Sequence, residues 1–268
     1  MIKNCFIKSM VIIAGLFLQC SPSPKTQSVP ELSISVHTNS GSLSSIIGGR
    51  TNEITDLTLT GDLWSNDIEC IRGMAEEGSL TKLDLSGVTI ADKYYDSGYY
   101  RSQGAVFFME SYNQLPDAIF RDCKKLKSII LPSRITSIGF AAFSDCAGLT
   151  NITIPNSVTL MGISAFENCT GLTNITIPIN VTSIEISAFA GCSELTSVIF
   201  PENIKIIKSS AFSGTKLTEI HIKNPTPPRI DSSSFDGINK KTCKLYVPIG
   251  SRNAYWLAWG FDNIIEMN

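Results

Sequence analysis

Four of the eight cysteines, Cys123, Cys146, Cys169 and Cys192, stand 23 residues apart. Thiols at fixed intervals raise three chemistries: metal ligation, disulfide pairing and nucleophilic catalysis. Zinc needs CxxC pairs or nearby histidines. The sequence has no CxxC, and its only histidines are His37 and His221, so no metal site and no cofactor is expected. Identical positions of a repeat stack on one another, which makes these thiols small inward-facing apolar groups, a buried ladder. Adjacent rungs also come within disulfide reach in an oxidising compartment, so pairing stays open. Cys70 and Cys243 lie outside the ladder.

Other reactive constellations are missing. Neither G-x-x-x-x-G-K-[ST] nor G-x-G-x-x-G occurs to cradle phosphate, and Gly-x-Ser-x-Gly is absent. His221 sits in Glu219-Ile220-His221-Ile222, whose alternation makes it an outward strand residue. Acidic residues are scattered, so no acid–base pair is read and no catalytic residue is assigned; a non-enzymatic protein is expected. The net charge of −2 comes without a Lys/Arg cluster, which argues against nucleic acid as a partner. Hydrophobic residues at 43 % against 17 % charged are enough to order most of the chain.

The cysteine spacing is one of several in register. Phe120, Phe143, Phe166, Phe189, Phe212 and Phe235 follow the same 23-residue ruler, as do Leu126, Leu149, Leu172 and Leu195, and Pro132, Pro155, Pro178 and Pro201. In one unit, Ile152 and Ile154 alternate with polar residues as a short strand, and Pro155 ends it. Val158 and Met161 lie on a second extended piece. The Ala-Phe-x-x-Cys segment reads as a short helical turn that drops Phe and Cys inward. A unit this small cannot bury its own apolar face, so rungs must stack, each Phe upon the next at ~4.8 Å. The outward strand positions then form two rows: Ser128, Asn151, Asn174, Ser197 and Glu219, and beside them Ile130, Thr153, Thr176, Ile199 and His221. Asn151, Thr153, Asn174, Thr176 and His221 are the candidate binding positions on this face. The ruler slips late: Thr215 replaces a fifth Cys, and Leu217 comes one residue early. Cys243 to Pro248 reads as the last strand. Ser251 then N-caps a helix from Arg252 to Trp259, stopped by Gly260, with Tyr255, Trp256, Trp259 and Phe261 closing the core.

Upstream, Leu57-Thr-Leu59-Thr-Gly61 recurs as Leu83-Asp-Leu85-Ser-Gly87, 26 residues on. Between them a helix over 67–77 turns Ile68, Ile71, Met74 and Ala75 inward. This longer strand–helix–strand unit feeds the same sheet, with right-handed coiling expected. Leu32, Ile34 and Val36 give an N-terminal strand, and Leu43, Ile46 and Ile47 a short helix. Residues 91–114 break both periods; their Tyr94, Tyr95, Tyr99 and Tyr100 are further candidate ligand contacts, while Phe107 and Phe108 suit packing over the junction.

The first twenty residues read as an export address. Lys3 and Lys8 precede an apolar run, Ser9 to Leu18, too short to span a bilayer. Leu18-Gln19-Cys20 occupies the place of a lipobox, which makes Cys20 the lipid-attachment residue. The expected organisation is a signal peptide at 1–19, a Ser/Pro tether at 20–30, a leucine-rich block with its tyrosine-rich insert at 31–114, and 23-residue repeats with a C-terminal cap at 115–268.

The unit Ala-Phe-x-x-Cys-x-x-Leu-x-x-Ile-x-Ile-Pro-x-x-Val-x-x-Ile resembles the BspA-like leucine-rich repeats of bacterial surface proteins, and residues 115–248 carry it almost rung for rung. The ending from Leu245 to Glu266 is similar to that family's terminal repeat and cap. The resemblance implies a solenoid of parallel strands and short helices. It also implies an exported or lipid-anchored protein with a role in surface recognition or adhesion. Taken with a lipidated Cys20, the expectation is an outer-membrane lipoprotein at the cell surface that binds a protein or glycan and contacts the membrane through its anchor alone. It transfers no catalytic residue. The competing expectation is a periplasm-facing scaffold that recruits other envelope proteins.

Overall fold

A computed structural model of the chain describes residues 32–39, 41–90 and 113–267. Cys20, the tether and the tyrosine-rich segment with Tyr94, Tyr95, Tyr99 and Tyr100 lie outside the described residues.

Alternation of apolar and polar residues produces the first strand, β1 (Leu32–Thr38), and a short helix, α1 (Leu43–Ile47), follows. β2 (Ile54–Leu63), helix α2 (Ser65–Glu76) and β3 (Lys82–Ile90) form the longer strand–helix–strand unit. α2 buries Ile68, Ile71, Met74 and Ala75, and also Asp67. The Asp67 carboxylate accepts from the Trp64 N–H at 3.1 Å and from the Leu43 N–H at 2.9 Å. It thereby caps α2 and ties α1 to it, which is how a buried charge is tolerated.

Each following rung contributes one strand to each of two faces. The main face takes β5 (Ser128–Ile130), β7 (Asn151–Thr153), β9 (Asn174–Thr176), β11 (Ser197–Phe200), β13 (Glu219–Ile222) and β15 (Lys244–Pro248). The second face takes β4 (Gln114–Leu115), β6 (Ser137–Ile138), β8 (Leu160–Met161), β10 (Ser183–Ile184), β12 (Ile206–Ile207) and β14 (Arg229–Ile230). Helix α3 (Arg252–Trp259) and β16 (Ile264–Met267) finish the chain. All pairing is parallel, with register shifts only in the β1–β2 and β2–β3 pairs, and the main sheet runs β1-β2-β3-β5-β7 and then β9-β11-β13-β15-β16. The core is one continuous apolar column from Val36 to Ile264.

The phenylalanine ladder stacks face to face. Ring centroids are 5.4, 5.1, 5.3, 5.3 and 5.5 Å apart from Phe120 to Phe235, with planes within 21°. The turn that carries each ring is not helical, contrary to the sequence-based expectation. Alongside bonds within the turn, such as from the Cys146 N–H to Phe143 at 3.2 Å, others run between rungs, as from the Phe143 N–H to Ala165 and from the Phe166 N–H to Ala188, both at 2.8 Å. To aim them there, two residues of each turn but the last, around Phe235, take the left-handed conformation. One column is Ala118, Ala141, Ser164, Ser187 and Ser210; the other is Asp122, Asp145, Asn168, Gly191, Gly214 and Gly237. The second column uses the residue types that tolerate this region best.

The cysteines behind the rings are free thiols. Three donate to the carbonyl of the phenylalanine one rung back: Cys146 to Phe120 at 2.9 Å, Cys169 to Phe143 at 3.1 Å and Cys192 to Phe166 at 3.0 Å, while Cys123, at the start of the ladder, points to the Arg121 carbonyl at 3.9 Å. Thr215, where the ruler slips, donates to Phe212 of its own rung at 2.8 Å. Burial pushes the Cys123 thiol up to about 12, and holds Cys146 and Cys169 well above the ordinary thiol range. Because all four thiols are sealed from solvent, iodoacetamide at pH 8 should leave the peptides holding Cys123, Cys146, Cys169 and Cys192 unmodified until denaturant is added. Labelling of the native protein at these four, read by mass spectrometry, would contradict a sealed ladder.

The C-terminal cap departs from expectation in three details. The last strand is β16, which pairs with β15. Ser251 occupies the N-cap position without a side-chain bond; the Arg252 N–H donates instead to the Glu266 carboxylate at 3.1 Å. Trp256 does not close the core: Tyr255, Trp259 and Phe261 do, while Trp256 is 55 % and Leu257 77 % exposed. On a helix at ~100° per residue, positions 255 and 259 share a face that 256 and 257 leave.

Candidate functional site

The in-register ladders place the two outward rows as straight lines on the main face. Asn151, Asn174, Ser197, Glu219 and Lys244 occupy one row, and Thr153, Thr176, Ile199, His221 and Tyr246 the next. At the C-terminal end His221 stacks on Tyr246, with centroids 4.2 Å apart and planes at 7°. The Glu219 carboxylate accepts from Lys244 Nζ at 3.1 Å and lies 3.7 Å from His221 Nε2. The hydrogen bond from Lys244 holds the Glu219 carboxyl below the usual carboxylate range and holds the Lys244 ammonium above its own. His37, at the other end, lies 3.1 Å from Thr60 Oγ1. This is a self-satisfied charged patch, and it is polarised toward one end of the face.

The middle of the face is different. β7 and β9 lie side by side, yet no ladder joins them, and β8 and β10 are likewise unjoined. Elsewhere the Thr150 N–H donates to Lys127 and the Thr196 N–H to Thr173; the equivalent bond from Thr173 to Thr150 is not formed. On the second face Thr159 bonds Thr136 and Lys205 bonds Thr182, but Thr182 does not bond Thr159. Gly162 bonds Ile138 and Lys208 bonds Ile184, but Glu185 does not bond Met161. The turn side alone crosses without interruption, through the bonds of Phe143 and Phe166. A seam therefore opens on two faces of the coil.

On the main face the seam holds a cleft of ≈ 440 Å³ lined by Asn151, Thr153, Asn156, Asn174, Thr176 and the rings of Pro155 and Pro178. Four of the candidate residues, Asn151, Thr153, Asn174 and Thr176, meet there. His221 sits apart with Tyr246. The seam itself left no mark on the sequence, because the rungs on either side carry the same Asn-Ile-Thr-Ile-Pro at 151–155 and 174–178. Amides without ladder partners open more readily. Hydrogen exchange at Thr173, Thr182 and Glu185 should therefore run faster than at Thr150, Thr159 and Gly162; equal protection would mean that the seam is closed in solution.

A second exposed feature was also missed. Phe140, Ile163 and Ile186 are 37, 40 and 42 % exposed and form an apolar stripe at the 23-residue spacing. The ruler itself would have found it. Among the described residues no group of three or more His, Cys, Asp or Glu side chains is placed to hold a metal, and no helix is long and apolar enough to cross a membrane.

Stacked parallel strands, one turn of coil per short apolar unit, define a leucine-rich-repeat solenoid. Its repeats over residues 113–242 belong to the BspA type of leucine-rich repeat region, present in six copies. The chain is similar to several solved structures. The leucine-rich repeat protein TpLRR of T. pallidum is 23 % identical over 72 % of this chain and 72 % of its own, with a TM-score of 0.47. A leucine-rich cell surface protein of Faecalibacterium prausnitzii is 19 % identical over 78 % and 66 %, with a TM-score of 0.41. The pneumococcal vaccine antigen PcpA is 18 % identical over 81 % and 63 %, with a TM-score of 0.46. No curated protein matches the chain.

Proposed function

We propose that this chain is a non-enzymatic binding or adhesion lipoprotein of the bacterial cell surface, which recognises a protein or glycan with the outer face of its main sheet. The observation that carries the reading is the row of exposed Asn and Thr side chains at the centre of that face, gathered around a cleft. Solenoids commonly recognise partners through such an extended repeat surface. The leader, with its apolar run ending at Leu18-Gln19-Cys20, and the Ser/Pro stretch after it support export and tethering through Cys20.

The test is palmitate labelling of wild type and Cys20→Ala, combined with protease treatment of intact cells. Labelling that requires Cys20, together with cleavage from whole cells, is the expected result. Labelled but protected protein would overturn the surface reading in favour of a periplasm-facing scaffold. Labelling that survives Cys20→Ala would remove the anchor assignment.

A further inference from the structure

We propose that the cleft at the seam between β7 and β9 is a binding site for a neutral saccharide. This rests on the binding role proposed above and narrows it to one ligand class and one place on the face.

The lining decides the class. The polar groups are the carboxamides of Asn151, Asn156 and Asn174 and the hydroxyls of Thr153 and Thr176, and no charged side chain is among them. An anionic or cationic ligand would be recognised by a charge-assisted hydrogen bond, which this cleft does not offer. Carboxamides and hydroxyls each both donate and accept, the pattern that matches sugar hydroxyls, which also do both. The groups are available. Neither the Asn151 carboxamide nor the Thr153 and Thr176 hydroxyls have a partner among the described residues, and Asn174 uses only its NH₂, toward Thr173 Oγ1 at 3.1 Å. Further along the same face, Glu219 and Lys244 satisfy one another.

The spacing decides against a peptide strand. Inserting one between β7 and β9 requires a gap of two strand separations, roughly 9.6 Å, whereas these strands keep Cα atoms within 8 Å of each other. What fits a seam opened by less than a strand is a set of ligand hydroxyls. Asn151 and Asn174 hold equivalent positions one rung apart across the seam, so two amides can engage neighbouring groups of one ligand. Pro155 and Pro178 supply apolar walls without an N–H to satisfy.

The experiment is a binding screen of the purified protein against immobilised neutral oligosaccharides of hexoses and N-acetylhexosamines, beside sialylated and sulfated ones and an arrayed peptide set. The expected result is capture of a neutral oligosaccharide, unchanged between 0.15 and 1 M NaCl (about 8 and 3 Å of screening length). That binding should weaken at least about tenfold in Asn174→Ala and in Asn151→Ala, with melting temperatures unchanged because both side chains are exposed, and should be retained in Lys244→Ala. Capture of acidic glycans with steep salt dependence, capture of peptides alone, or loss in Lys244→Ala with retention in Asn174→Ala each overturns the proposal. So does an empty screen. The labelling and protease results above do not depend on this screen, so failure of the saccharide site and failure of the surface role are read separately.

Discussion

Phe166→Ala is expected to cost the fold about 3–5 kcal/mol and to lower its melting temperature by about 10 °C. The ring is fully buried at the middle of the column, 5.1 Å from Phe143 and 5.3 Å from Phe189, with planes within 5° of both. Truncation removes the transfer free energy of the side chain and leaves a cavity that the two flanking rings cannot fill. Their positions are fixed by turn backbones bonded to the next rung. Two stacked contacts disappear at once, each worth ~0.5–1.5 kcal/mol beyond its area. Thermal unfolding followed by circular dichroism checks this; a shift within about 1 °C would mean that the column is not the core.

Trp259→Ala is expected to be comparably severe, by about 3–5 kcal/mol, but local. Trp259 covers the last ring of the column, with Phe235 at 5.4 Å, and packs edge to face with Tyr255 at 5.2 Å. Its indole N–H donates to the Pro228 carbonyl at 2.9 Å, a buried acceptor that the substitution leaves bare. Tyr255 makes the matching bond to Asn224 at 2.7 Å, and burial raises its phenol above the usual range. Losing the cap opens the end of a stack whose units are stable only against neighbours. Hydrogen exchange should accelerate in β13, β15 and β16 before it does in β5 and β7. The adjacent Trp256→Ala, on the exposed face of α3, should stay within about 0.5 kcal/mol of wild type. Equal losses in the two variants would contradict the assignment of the cap.

The repeat was legible because a buried column tolerates little variation from rung to rung. Phe and Cys return at one interval, and that interval fixes which residues share a face. Strand register followed from the same integer, so the two outward rows could be drawn before any coordinate was known. The turn was misread because Ala-Phe-x-x-Cys carries no glycine or proline to forbid a helix. Bonds to the next rung, a tertiary effect, force Ala118 and Ala141 into the left-handed region. Trp256 was placed in the cap by residue type, and helix phase puts it outside. The capping role of Glu266 was hidden because it depends on β16, which was not recognised as a strand. The seam was invisible for the opposite reason: identical flanking sequences carry no information about which pair of rungs fails to bond. Asn151, Thr153, Asn174 and Thr176 were therefore found as members of rows, and only the coordinates gathered them around a cleft.

Considered as a mechanical element, the solenoid is a rod notched on two of its three sides. The neighbouring repeats are riveted along both strand faces and along the turn; between the rungs of Phe143 and Phe166 the backbone is riveted on the turn side alone, helped by one side-chain bond from Asn180 Nδ2 to the Asn156 carbonyl at 2.7 Å. Such a rod bends about its intact side, and bending one way widens the notch while bending the other way shuts it. Tension along the axis concentrates there as well. A chain held at its N-terminus and pulled from its far end would part first between β7 and β9, leaving two shorter sheets, each with its ladders intact.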